Sequence, residues 1–113
     1  MGVNERTIQW REKHKDYLEG WKEKMVVLQL RAHSEGWSQD RYEMEIIQCI
    51  PNQSVRDVFI YAKNYIYQYK TGKFRSLMAN VYEEVIRFGL VEPSRLVAIK
   101  RAIDSVRRKV YGK

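Results

Sequence analysis

Trp10, His14, Tyr17, Trp21, Met25 and Leu28 follow one another at steps of three and four. That spacing returns side chains to one side of an α-helix, whereas a strand alternates its side chains with period two and would scatter them over both faces. The same recurrence runs through most of the chain, and alternation of apolar and polar residues is not sustained anywhere. The expected fold is therefore all-α. Only six glycines and two prolines interrupt the 113 residues, which favours a few long helices over the many turns of a β fold.

Five helices are predicted. The first runs from about Asn4 to Ala32, with Gly20 as the place where it would kink or divide, because glycine costs about 1 kcal/mol relative to alanine inside a helix. "HSEGWSQD" closes it through Gly36 and offers Ser38 as the cap of a second helix, about Gln39 to Ile50, which buries Tyr42, Ile46, Cys49 and Ile50 before Pro51 stops it. Ser54 is the expected cap of a third, about Val55 to Tyr69, ended by Gly72. A fourth spans about Phe74 to Phe88 and stops at Gly89. The last begins near Ser94 and carries Leu96, Ile99, Ile103, Val106 and Val110 on one face. Short turns and brief heptad-like runs point to a compact bundle rather than a coiled coil, with residues 1–113 forming a single all-helical domain.

The composition, 44% hydrophobic and 12% aromatic, is too apolar for a disordered chain despite 31% charged residues. Cys49 stands alone, so no internal disulfide is available and a reducing, cytoplasmic setting is expected. The N-terminal residues lack the apolar core of a signal peptide, and no apolar run approaches the roughly 20 residues of a membrane span. No membrane partner is expected.

Catalysis is not expected either. Cys49 falls on an apolar helix face, and His14 shares a stripe with Trp10, Tyr17 and Trp21, so neither reads as a nucleophile or its base. One cysteine and two histidines at unrelated spacings make no metal site. Glu43 and Glu45 splay on a helix, as do Glu83 and Glu84, and "KTGKF" lacks the spaced glycines of a phosphate loop, so no cofactor is implied.

Charge carries the functional signal. Residues 1–50 hold 8 basic and 9 acidic side chains, net −1; residues 51–90 are net +3 and residues 91–113 net +5, within a formal total of +7. Such asymmetry suggests a polyanion footprint on the second half. The candidate phosphate contacts are Arg95, Lys100, Arg101, Arg107, Arg108 and Lys109 on the last helix, extended by Lys63, Lys70, Lys73 and Arg75. Phe88, Gly89, Leu90, Leu96 and Ile99 follow the order of a helix-turn-helix unit, although the connection is about one residue longer than the motif's and Glu84 sits where an apolar residue is expected. An ordinary helix pair with a basic surface fits the same residues.

In "FIYAKNYIYQYKTGKFR" tyrosines interleave with cations, a combination that stacks unpaired bases. Tyr65 and Tyr69 are expected on the buried stripe, and Tyr61 and Tyr67 outside it. The expected partner is thus nucleic acid, DNA or RNA. A competing reading is a helical subunit that packs on a protein, or on itself, through the aromatic first helix with Trp10, Trp21 and Trp37 as anchors. In size and basicity the chain is similar to small helical subunits of ribonucleoprotein effectors, CRISPR complexes included, a resemblance of character that no residue motif carries.

Overall fold

The computed structural model describes residues 2–111, with side chains described for residues 8–109. Every regular element among them is a helix: α1 (Gly2–Lys13), α2 (Lys15–Glu35), α3 (Gln39–Cys49), α4 (Gln53–Gln68), α5 (Lys73–Phe88) and α6 (Pro93–Tyr111). The sixth arises because the expected first helix divides, and it divides at His14 rather than at Gly20. His14 adopts φ −108° and ψ 19°, outside the helical region, and its Nδ1–H donates to the Trp10 carbonyl at 2.8 Å. That carbonyl also accepts the His14 backbone N–H at 3.2 Å, so the ring competes for the bond that would carry the helix straight through. Gly20 sits inside α2 with no atom within 4 Å of where a Cβ would stand.

Capping fixes the other boundaries. Gly36, at φ 66°, takes the left-handed conformation that ends α2, and the Trp37 N–H turns back to the Ala32 carbonyl. Ser38 caps α3 by accepting the Arg41 N–H at 3.1 Å. Asn52, not Ser54, caps α4, accepting the Val55 N–H at 3.0 Å. The Glu92 carboxylate accepts the N–H groups of Ser94 and Arg95 and so opens α6.

α4 and α5 form the central hairpin and share the most extensive helix packing. Val58, Phe59 and Ala62 of α4 meet Met78, Val81 and Val85 of α5, with the Phe59 and Tyr82 rings stacked at 5.1 Å. α2 packs on α5 and α3, α3 on α4, and α6 on α4 through Ile99 and Ile103. Extents of 47 × 39 × 23 Å describe a slab about two helices thick, since a helix with its side chains is about 10–12 Å across.

The two halves of the chain are joined at the α5–α6 turn. Trp21 of α2, 2% exposed, donates its indole N–H to the Ile86 carbonyl at 2.8 Å, and the Tyr17 hydroxyl donates to the Gly89 carbonyl at 3.0 Å. Gly89 has φ 64°, and a Cβ there would lie inside the Trp21 ring. Gly89→Ala is expected to destabilise by about 2–4 kcal/mol, from left-handed strain plus overpacking. Gly20→Ala is expected to stabilise by up to about 1 kcal/mol. Urea unfolding of both variants checks the pair, and equal effects would refute this account of the two glycines.

Candidate nucleic-acid interface

α6 presents its apolar side to α4 and leaves its cations outside. Leu96, Ile99, Ile103 and Val106 hold the inner face, and the 100° step of the helix then sends Arg101 and Arg108 to the opposite side, one above the other. Lys100 and Arg107 fall on the flank toward α4, and Lys109 on the other flank. All five are exposed. None of them makes an ion pair among the described residues. Arg95 differs: its Nε donates to Glu84 Oε1 of α5 at 2.7 Å, so this cation fastens α6 to α5 and its charge is offset.

The remaining candidates divide between two places. α6 runs parallel to α4, because Leu96 and Val97 share a cleft with Asn52 and Val55 while Arg107 lies level with Tyr61. The C-terminal turns of α6 therefore stand at the same end of the slab as the α4–α5 turn, which carries Lys70, Lys73 and Arg75. Arg75 donates from Nε to the Tyr69 carbonyl at 3.1 Å and braces that turn. Lys63 is not brought into this group. It lies on the flank of α4 that carries Tyr67, its Nζ 5.8 Å from that ring.

Tyrosines link the two cationic segments. Tyr61, Tyr65 and Tyr69 form a column along α4, with centroid separations of 6.1 and 4.4 Å, and Phe74 meets Tyr65 edge-on at 4.9 Å. The Arg107 guanidinium lies 5.0 Å from the centre of the Tyr61 ring. Exposure differs from the sequence expectation: Tyr69 is 41% and Tyr67 54% exposed, whereas Tyr61 and Tyr65 are half-buried. Tyr69 is the residue that caps the C-terminus of α4. Beside the column, α4 and α6 form a groove of about 400 Å³ with Val58 and Ile103 among its lining and Asp57, Tyr61, Asn64, Lys100, Asp104 and Arg107 as its polar groups.

Two clusters escaped the sequence reading. Trp37 is flanked by the guanidinium groups of Arg31 and Arg41 at 5.0 and 4.7 Å from its ring centre, and its indole N–H donates to Glu35 at 3.1 Å. The second is Glu43, which is fully buried, although the spacing to Glu45 marked it only as one of two diverging carboxylates. Its Oε2 accepts the hydroxyls of Tyr82 at 2.5 Å and Tyr67 at 2.7 Å and the Gln39 amide at 3.3 Å. Its Oε1 has no partner among the described residues. Tyrosines at positions 67 and 82 were the available signal, but only the tertiary fold brings them to α3.

Among the described residues no three His, Cys, Asp or Glu side chains gather as a metal site, and no helix is long and apolar enough to cross a membrane. Compared with protein-family models, curated proteins and solved structures, the chain matches none.

The Glu43 cluster makes a measurable prediction. Desolvation, reinforced by the hydrogen bond to Glu43 and its charge, pushes the Tyr67 phenol from the ordinary 10.0 up to about 12, and Tyr82 is raised further for the same reasons. A raised folded value means that this stabilisation is complete below pH 10 and is lost as pH climbs through 12. In a phenolate absorbance titration Tyr67, Tyr82 and Tyr17, the last raised by its own burial, should ionise late, and Glu43→Gln should bring Tyr67 back toward the ordinary value while leaving Tyr17 unmoved. Wild-type tyrosines that all ionise together near that value would refute the network.

Proposed function

We propose that the protein binds nucleic acid without catalysing a reaction on it, holding the phosphate backbone against α6 and the α4–α5 turn. The observation that carries this reading is the set Lys70, Lys73, Lys100, Arg101, Arg108 and Lys109: all are exposed, and none has an acidic partner among the described residues. Surface cations without such a partner keep the field that attracts a polyanion, whereas paired ones cancel it. Arg107 and Arg75 extend the same surface; Arg95 and Lys63 are marginal to it, the first offset by Glu84 and the second on another flank.

The tyrosine column beside these cations favours single strands, because exposed or half-exposed rings stack on bases that duplexes keep paired. The helix-turn-helix-like use of α5 and α6 is the double-stranded form of the proposal, with Arg101 and Arg108 entering a major groove. A titration against duplex DNA, single-stranded DNA and RNA at several salt concentrations separates the two. Binding should weaken linearly in log K against log salt, and Arg101→Ala/Arg108→Ala should flatten the slope by about 1.5, since each phosphate that is no longer neutralised removes roughly 0.7–0.9. A slope unchanged by the double variant would remove α6 from the interface. No binding to any strand would overturn the proposal.

A second reading is favoured by one observation. Val26, Val27 and Leu30 of α2 are 50%, 54% and 66% exposed, an aliphatic face suited to a protein neighbour. It supports the reading of the chain as a helical subunit of a larger assembly, in which α2 faces protein and α6 faces nucleic acid. The face is aliphatic rather than aromatic: Trp21 is buried, and Trp10 and Trp37 are half-buried.

A further inference from the structure

We infer that the α4–α6 groove is a seat for one unpaired guanine base, an inference that rests on the nucleic-acid reading and adds base selectivity to it. The groove is lined by Asp57, Tyr61, Asn64, Lys100, Asp104 and Arg107, and it measures about 400 Å³. Its two carboxylates decide what enters. A phosphate brought beside Asp57 and Asp104 would meet two like charges, so the backbone follows the outer cations of α6 and a base turns inward.

The base then finds a planar cation already held in place, the Arg107 guanidinium 5.0 Å from the centre of the Tyr61 ring, whose outer face can stack on it. Lys100 stands at the rim, where a phosphate flanking an inserted base would lie, while Arg107 supplies the stacking plane. Neither pairs with Asp57 or Asp104 in an ion pair. Gln53 donates to one oxygen of Asp57 at 2.7 Å and fixes that carboxylate, so the two-oxygen match to a base edge falls to Asp104, with the second Asp57 oxygen as a further acceptor.

Carboxylates accept hydrogen bonds and donate none. Guanine offers two adjacent donors, N1–H and the N2 amino group, on its Watson–Crick edge, a match for a carboxylate. Cytosine and adenine offer one amino group each. Uracil flanks its single N–H with two carbonyl oxygens that a carboxylate repels. The groove is therefore selective for guanine, with uracil the poorest occupant.

The test uses fluorescence anisotropy of the full chain with short labelled oligouridylate strands carrying one central G, C, A or U. Replacing the central U by G should tighten binding about tenfold, the scale of one well-placed bidentate base contact. Asp57→Asn/Asp104→Asn should abolish that G-over-U ratio while keeping the salt slope. Taking the ratio within each variant removes the general gain in affinity that follows from neutralising two negative charges. Both aspartates are exposed, and thermal unfolding of the variant checks that its fold is retained. Salt-dependent binding with equal affinity for all four strands, or a G preference that survives the double substitution, would overturn the guanine seat and leave the backbone reading standing. Absence of binding to every strand would overturn both.

Discussion

The structure depends on Trp21 resting on Gly89. The N-terminal helices and the α4–α6 half of the chain have no covalent tie beyond the turns, and this indole, with Tyr17 beside it, bonds α2 to the carbonyls that end α5. Two conditions make this packing possible. Gly89 must adopt a positive φ so that α5 can stop, and it must lack a Cβ so that the ring can occupy that space. A residue that reads locally as a helix stop, and in a helix-turn-helix pattern as a turn glycine, is thereby also a receptor for a side chain far earlier in the chain. By fixing where α5 ends, it fixes where α6 begins, and hence which of its residues face outward.

The fold was largely legible because helix periodicity and capping are local. Ser38, Gly36, Gly72 and Gly89 punctuate the chain where their chemistry indicates, and the inner faces of α4, α5 and α6 follow their three-four steps. What escaped was settled by competition between neighbours. The break at His14 comes from a ring nitrogen sharing the Trp10 carbonyl, a choice invisible to propensities, which single out Gly20 instead. Asn52 and Ser54 are both residue types that cap helices, and it is Asn52 that accepts the Val55 N–H. Glu43 is the instructive miss: a carboxylate on the apolar side of a helix gives no local sign that Tyr67 and Tyr82 will satisfy it.

The candidate site was legible as composition and not as geometry. Counting cations located the basic half of the chain, but only the parallel packing of α4 and α6 sorts them. It unites Arg107, Arg108 and Lys109 with the α4–α5 turn, withdraws Arg95 into a pair with Glu84, and leaves Lys63 on a different flank. It also aligns the tyrosine column with those cations and sets Asp57 and Asp104 between them. The resulting surface is graded, with cations along the outer face of α6 and two carboxylates in the groove it forms with α4.

The central claim is spatial: nucleic acid lies on α6, the tyrosine column of α4 and the α4–α5 turn. Backbone amide NMR of the full chain, with a short single-stranded RNA added stepwise, tests it most directly. The account predicts shifts confined to the second half of α4, the turn through Arg75, and α6 from about Lys100 onward, while α2 and α3 stay unchanged. Shifts centred on Val26 to Leu30 of α2 or on Trp37, with α6 silent, would contradict it.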